Sequence, residues 1–498
     1  MTGLIGDKRN IVQAFWLGFG KFSSFALAFI SAAILSRFLT KEDYGTYKQV
    51  MYIYASFSLI FAAGLPETLT YFLPKLTKNE GKHLINRFET AFILLGLIFS
   101  LSLYFGSPLI ASILKNPALD EALKIYAPIP LLLLPTFAME SIYMCEQKSY
   151  YLAMYTVISR ITILCCITLP VIFYKANCLV ALQGLVVSSF CMLIVAFFLI
   201  YKPYRGFIPQ KSTLHIRDVV YYAIPLMSAD LSLMLFTAAD QFFISRYFGE
   251  VVFAEFANGF IQFPLATMVS GSVLTVLIPL FSKVNTPKGF EEAIQSWQNA
   301  IKKTCLLLYP LLTFCLFFAT EIVVFIYGKD YANSAIYFRI ILLSNFINVY
   351  PFLPILLALR KLKVYSSFYF LSAISIWVSE AIAIYLYPSP VTIAWVSIAN
   401  TILLVIAFYI YIKYKLHITV FTKNILQFLG KAIIHSAVVL TIIQYTVYPF
   451  VKSYPPLIIL MITFMAFYVL LILSSKLFKL DYWAVIAPLF HSLTNKKS

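Results

Sequence analysis

Between Asn10 and Leu35 the chain runs for 26 residues with a single charge, Lys21, and apolar runs of this kind recur to the end of the sequence. Crossing a bilayer as a helix takes roughly 20 predominantly apolar residues. Reading the runs against their polar punctuation predicts fourteen spans: 10–36, 45–66, 87–107, 122–145, 150–174, 178–201, 219–245, 250–278, 304–327, 335–359, 364–387, 391–412, 431–451 and 455–475. A soluble domain carries about a quarter of its residues as Asp, Glu, Lys and Arg; here the charged fraction is 12%, against 61% hydrophobic. The apolar residues therefore do not make one core but many membrane helices. The first run is too long for the apolar region of a signal peptide and no small-residue cleavage site follows it, so it is expected to be retained.

The basic residues fix orientation. With the amino terminus inside, twenty-six of the 38 Lys and Arg residues fall on the cytoplasmic side, ten on the opposite side, and Lys21 and Arg160 lie inside spans. Lys and Arg concentrate in cytoplasmic loops, and one missed or invented span would swap the sides of every loop after it. The asymmetry supports fourteen spans with both termini cytoplasmic. It also accounts for most of the formal charge of +17 without a nucleic-acid partner. Seven cysteines lie in or beside apolar stretches with no CxxC pair, which fits small hydrophobes in membrane helices rather than a disulfide framework. No connection is long enough for an independent soluble domain. One cytoplasmic connection, GFEEAIQSWQNAIKK at 289–303, spaces Phe290, Ile294, Trp297 and Ile301 on one helical face and predicts an amphipathic helix lying at the interface.

One junction is written twice. SRFLTKEDYGTY at 36–47 and SRYFGEVVFAEF at 245–256 align at an offset of 209: Ser36 with Ser245, Arg37 with Arg246, Phe38 with Tyr247, Tyr44 with Phe253, Tyr47 with Phe256. At 205, Leu69-Thr70 aligns with Leu274-Thr275 and Leu73-Pro74 with Ile278-Pro279; at 216, Pro135 aligns with Pro351. Spans 1–6 thus match spans 7–12, and because six is even both copies enter from the same side. The expected fold is an all-α polytopic membrane protein of two parallel six-helix lobes plus two C-terminal helices. The expected divisions are an N-lobe at 1–201, a cytoplasmic linker at 202–218, a C-lobe at 219–412, and spans 13–14 with a cytoplasmic tail at 413–498.

These junctions carry a resemblance. ILSRFLTKEDYGTY at 34–47 resembles the span 1–2 junction of the polysaccharide-transport branch of the multidrug/oligosaccharidyl-lipid/polysaccharide exporter superfamily, whose members include oligosaccharide and O-antigen flippases. AADQFFISRYFG at 238–249 resembles the end of that family's span 7, while Ala254 stands where its span-8 junction often has glycine. The resemblance implies two six-helix lobes with spans 1, 2, 7 and 8 lining a central cavity. It also implies flipping of a polyprenyl-pyrophosphate-linked oligosaccharide or polysaccharide repeat unit from the cytoplasmic to the outer leaflet of a bacterial inner membrane.

Ionisable side chains inside spans are costly and mark candidate sites. Lys21 maps by the repeat offset onto Asp230, placing opposite charges at related depth in spans 1 and 7. They are expected to face each other across the cavity, pairing in one state and releasing Lys21 to the lipid diphosphate in another; pairing of each within its own lobe is the competing reading. Gln49 maps onto Asn258, and Gln262 lies one turn beyond Asn258, so the three are candidates for sugar hydroxyls or for helix–helix hydrogen bonds. Asp240, with Arg246 and Arg37 at similar depth, is a candidate for an outer-gate ion pair or for a static interfacial pair. Arg160, with Glu140 in span 4, either pairs within the lobe or extends the basic cavity. Glu321 and Glu380 are titratable but have no repeat partner. Prolines 128, 130 and 135 in span 4, and 351 and 354 in span 10, free backbone carbonyls and predict kinks.

Other functions fit less well. No G-x-x-x-x-G-K-[ST] loop exists, so ATP-driven pumping by this chain is not expected, and no cofactor is called for. Energy would come from a proton or sodium gradient or from the substrate's own. A polytopic glycan polymerase, ligase or glycosyltransferase would need an outer loop with catalytic groups, and His83, His215, His417 and His491 all fall on the cytoplasmic side. A drug exporter of the same superfamily usually carries cations, whereas these clustered cations favour an anion. A peptidoglycan-precursor flippase is nearer kin, although span 1 has Lys21 rather than several arginines. Expected partners are the lipid-linked glycan, the bilayer, and a glycan polymerase or glycosyltransferases of the same pathway.

Overall fold

The computed structural model describes residues 2–483 except 175, 176, 213, 262, 283 and 285, with side chains from residue 12 onward apart from 14 and 287. Every regular element among the described residues is helical. Among the described residues thirteen helical segments are long and apolar enough to cross a membrane, so the chain is a multi-pass membrane protein. The fourteenth expected span, the tenth in order, is present as two shorter helices, Ser334–Ile347 and Leu353–Ala358. Between them lies Pro351, with Pro354 opening the second piece, and a proline cannot donate the bond that would continue a helix. Span 4 is divided for the same reason: Ala118–Tyr126, Ile129–Leu133, a single 3-10 turn at Leu134–Thr136, and Phe137–Cys145, with Pro128, Pro130 and Pro135 at the breaks. The repeat-related prolines thus interrupt related spans.

The chain divides into two compact units, Met1–Glu255 and Phe256–Ser498. The long helix Ile216–Gly259, which holds span 7 and turns at Gly249 into the start of span 8, belongs to the first unit as far as Glu255. Packing inside the units corresponds pair by pair. In the first, span 6 (Cys178–Tyr201) packs on span 5 (Ser149–Tyr174) and on span 4; span 4 packs on span 3 (Lys78–Leu114) and on the Leu65–Phe72 helix that ends span 2. In the second, span 12 (Pro390–Ile410) packs on span 11 (Leu362–Leu386) and on span 10. Span 10 packs on span 9 and on the Pro264–Ser282 helix that completes span 8. Span 1 (Thr2–Phe38) runs along span 5.

Two expectations change. The amphipathic segment at 289–303 does not lie apart at an interface: it is the first half of one helix, Pro287–Phe317, continuous with span 9. Its apolar face is buried, with Trp297 and Ile301 at 0% and 1% exposure, and Trp297 Nε1 donates to the Pro351 carbonyl at 2.8 Å. The carbonyls freed by the broken span 10 supply that acceptor, and the rings of Phe352 and Phe421 close over the indole. Span 8 is also not one helix: the helix holding its start ends at Gly259, and a separate helix runs over Pro264–Ser282. Spans 13 (Lys423–Thr446) and 14 (Pro456–Ser474) are fastened to span 9, the Tyr448 hydroxyl donating to Glu321 at 2.7 Å. All seven cysteines are free thiols.

Candidate functional site

The first repeat junction is built by local chemistry. Thr40 caps the span-2 helix (Lys41–Ala62), its hydroxyl accepting from the Asp43 amide at 3.1 Å. This satisfies one of the donors that a helix start leaves open. The second junction turns at Gly249, whose φ of 79° lies in the left-handed region that glycine enters freely. Within the first unit the two junctions pack on one another. At Gly45 a Cβ would stand 2.1 Å from the Glu250 carbonyl oxygen, so only glycine allows the helices this close. Lys41 pairs with Glu255 at 2.8 Å, and the Tyr52 hydroxyl donates to the Ala238 carbonyl at 3.2 Å. Beneath them Gln49, fully buried, donates to Ser245 Oγ at 2.7 Å and accepts from Asn116 Nδ2 at 2.6 Å, while the same amide reaches Thr46 Oγ1 at 2.9 Å. The duplicated stretch is a clasp made of two like surfaces.

Below the clasp a cavity of about 590 Å³ opens among spans 1, 2, 4, 5 and 6, entirely within the first unit. Tyr44, Tyr47, Lys48, Met51 and Tyr54 line one side because they recur at three- and four-residue spacing on one face of span 2. Tyr126, Thr136 and Glu140 come from the broken span 4, and Tyr155, Ser159 and Arg160 from span 5. Arg160 is held by a bond from Nε to Ser24 Oγ at 2.8 Å. The Lys48 ammonium lies 5.2 Å from the Tyr44 ring centroid. Tyr54 meets Tyr126 edge-on at 5.4 Å. The cavity offers two cations, one carboxylate, and a wall of phenol and aliphatic hydroxyls.

The residues singled out from the sequence fall into several places. Arg160 lines the cavity, with Glu140 on the same wall but not in an ion pair with it. Gln49 sits in the clasp. Lys21 is exposed on span 1 and forms no ion pair with Asp230, whose electrostatic neighbour is Glu67. Arg37 donates to its own helix at the Ala33 carbonyl, 3.3 Å, and Arg246 donates to the Ile113 carbonyl at the end of span 3. Asp240 is buried in the span-7 helix, and Asn258 is buried in the second unit. Gln262 lies outside the described residues. Glu380 is fully buried in span 11 beside a cluster in which Ser375 donates to Asn400 Oδ1 and Asn400 Nδ2 to Ser379, each at 2.8 Å.

Sequence reasoning did not single out Lys48, which it counted with the loop cations, the tyrosines of the cavity, the Lys41–Glu255 pair, or Glu89. Glu89 in span 3 is 3% exposed, and among the described residues neither carboxylate oxygen has a hydrogen-bond partner. The helical spacing of Tyr44, Tyr47, Lys48, Met51 and Tyr54 was the available signal for the cavity. Nothing in the sequence pointed to the cross-chain partners.

Two units with corresponding helix packing, proline-broken spans and a cavity inside the first unit define a multi-pass helical membrane protein. Residues 34–336 match the sequence family described as polysaccharide biosynthesis protein, and the chain belongs to that family. Among solved structures it is similar to the lipid II flippase MurJ in an inward closed conformation, with 16% identity, a TM-score of 0.70, and coverage of 94% of this chain and 99% of that one. A MOP-superfamily transporter from Pyrococcus furiosus aligns at 11% identity and TM-score 0.57, covering 82% and 96%. An inward-facing multidrug resistance MATE transporter aligns at 10% and 0.57, covering 81% and 94%. No curated protein sequence matches the chain. At these identities the likeness establishes the MOP fold; these neighbours are transporters and flippases, not enzymes.

Proposed function

We propose that this protein flips a polyprenyl-pyrophosphate-linked oligosaccharide or polysaccharide repeat unit from the cytoplasmic to the outer leaflet of a bacterial inner membrane by alternating access, with both termini cytoplasmic. The observation that carries the reading is membership of the polysaccharide biosynthesis family over residues 34–336. The cation excess on the side of the amino terminus supports the orientation. Lys21, exposed within an apolar helix and in no ion pair among the described residues, is the cation we assign to the lipid diphosphate. A proton or sodium gradient, or the substrate's own gradient, drives the cycle. A glycan polymerase and glycosyltransferases handle the product and precursor.

The test is reconstitution in liposomes with a fluorescent polyprenyl-diphosphate oligosaccharide, reading its exposure to a membrane-impermeant quencher. The protein should accelerate exchange between leaflets, Lys21→Gln should slow it at least tenfold, and Lys21→Asp with Asp230→Lys should recover part of the loss. Exchange no faster than in empty liposomes would refute the reading. A peptidoglycan-precursor flippase is the second reading, favoured by the TM-score of 0.70 to the lipid II flippase against 0.57 to the MATE transporter. Lipid II in the same assay separates the two, because preference for lipid II over the oligosaccharide lipid selects the second.

A further inference from the structure

We propose that the cavity inside the first unit is a subsite for an acidic sugar, a uronic-acid-type residue whose carboxylate is held between Lys48 and Arg160. The assignment rests on the glycan-flippase reading only for the origin of the sugar. At about 590 Å³ the cavity falls within the range of sites that enclose a small ligand, about 300–1,000 Å³. Its lining carries two cations and one acid, Lys48, Arg160 and Glu140, and Glu140 forms an ion pair with neither cation. Structural cations at membrane depth are normally paired with a carboxylate or satisfied by carbonyls. Here Lys48 has an aromatic face and Arg160 a serine hydroxyl on Nε, and among the described residues the terminal nitrogens of the guanidinium have no hydrogen bond or ion pair. A guanidinium in that state presents the planar fork that binds a carboxylate through two parallel bonds.

The rest of the wall selects among anions. A bare inorganic anion needs donors only, and it gains nothing from ring faces. This wall instead joins Tyr47, Tyr54 and Tyr126 with aliphatic hydroxyls from spans 4 and 5. A phenol offers an apolar face beside a polar tip, which suits a ring with hydrogens on its faces and hydroxyls around its edge. A carboxylate on that ring adds the one group the two cations still require. A diphosphate would satisfy the cations equally but would leave the tyrosine wall without a role.

Equilibrium binding decides the matter on full-length protein in lipid nanodiscs, by calorimetry with methyl glucuronide, methyl glucoside and inorganic pyrophosphate. The first two differ only by a carboxylate in place of a hydroxymethyl group. Methyl glucuronide should bind at least tenfold more tightly than methyl glucoside. Lys48→Gln and Arg160→Gln should each remove most of that preference, with Arg160→Lys intermediate because it keeps charge and loses the fork. Equal binding of the two glycosides, tighter binding of pyrophosphate than of the glucuronide, or a preference that survives both glutamine substitutions would each overturn the proposal. If a glutamine variant fails to fold, Ser189→Trp blocks the cavity while keeping both cations, and undiminished glucuronide binding there would also overturn it. The measurement needs no translocation: selective binding with no flipping sinks the flippase reading alone, and flipping with no selectivity sinks this subsite alone.

Discussion

Gln49 shows how much one side chain can organise. Its amide bonds Ser245 and Asn116 at once, and all three are buried. Replacing it with leucine keeps roughly the volume but removes the donor to Ser245 and one of the two acceptors of the Asn116 amide, which keeps Thr46. A buried polar group left short of a partner costs about 1–3 kcal/mol. Gln49→Leu should therefore lower the thermal midpoint of the purified protein by several degrees, whereas Gln49→Glu, which keeps an acceptor, should lower it less. Equal midpoints for the leucine variant and the parent would remove the amide from the clasp. Glu89 is the opposite case. Its carboxylate is buried with no hydrogen-bond partner among the described residues, an arrangement that costs stability unless the residue is needed for something else. Glu89→Met should raise the midpoint, and if Glu89 carries a coupling proton the same variant loses the dependence of exchange on a proton gradient. A lower midpoint would mean that the carboxylate has a stabilising role.

At the scale of elements, the recurring device is the interrupted helix. Spans 4 and 10 break at prolines, and a carbonyl so released is used: the Pro351 carbonyl accepts from Trp297 and ties span 10 to the first half of the Pro287–Phe317 helix, ahead of span 9. Pro351→Ala restores a donor that a continuous helix can use. It should leave membrane insertion intact while slowing glycan exchange several-fold in the liposome assay. Unchanged exchange would reduce the break to static packing. The prolines, and hence the kinks, were legible in the sequence. The fate of 289–303 was not: the spacing of Phe290, Ile294, Trp297 and Ile301 describes an apolar face, but a membrane surface and a neighbouring helix bury such a face equally well. Only the position of Phe352 and Phe421 decides between them.

For the molecule as a whole, the clasp is where the two copies of the duplicated junction meet. Lys41 and Glu255, 2.8 Å apart, hold its rim. In a background with the native cysteines replaced, Lys41→Cys with Glu255→Cys joined by a reducible bifunctional linker should arrest exchange, and reduction should restore it. A cross-linked protein that still flips its lipid would mean that the junction stays shut throughout the cycle. The surface pair itself adds little, about 0–1 kcal/mol for an ion pair with this much solvent contact. Its use is register rather than strength.

The sequence by itself determined the multi-pass helical class, most of the spans and the proline breaks of spans 4 and 10, because each of these follows from local composition and periodicity. Apolar run length alone distinguishes a membrane helix, and proline acts on the helix that contains it. The tertiary structure alone decided that Gln49 meets Asn116 and Ser245, and that Lys48 and Arg160 share one cavity. It also decided that Lys21 and Asp230 stand without a bond in this state. Those are distances between residues from tens to just over two hundred positions apart, set by how tightly helices approach, and approach is governed by details such as the missing Cβ at Gly45 that no periodicity records.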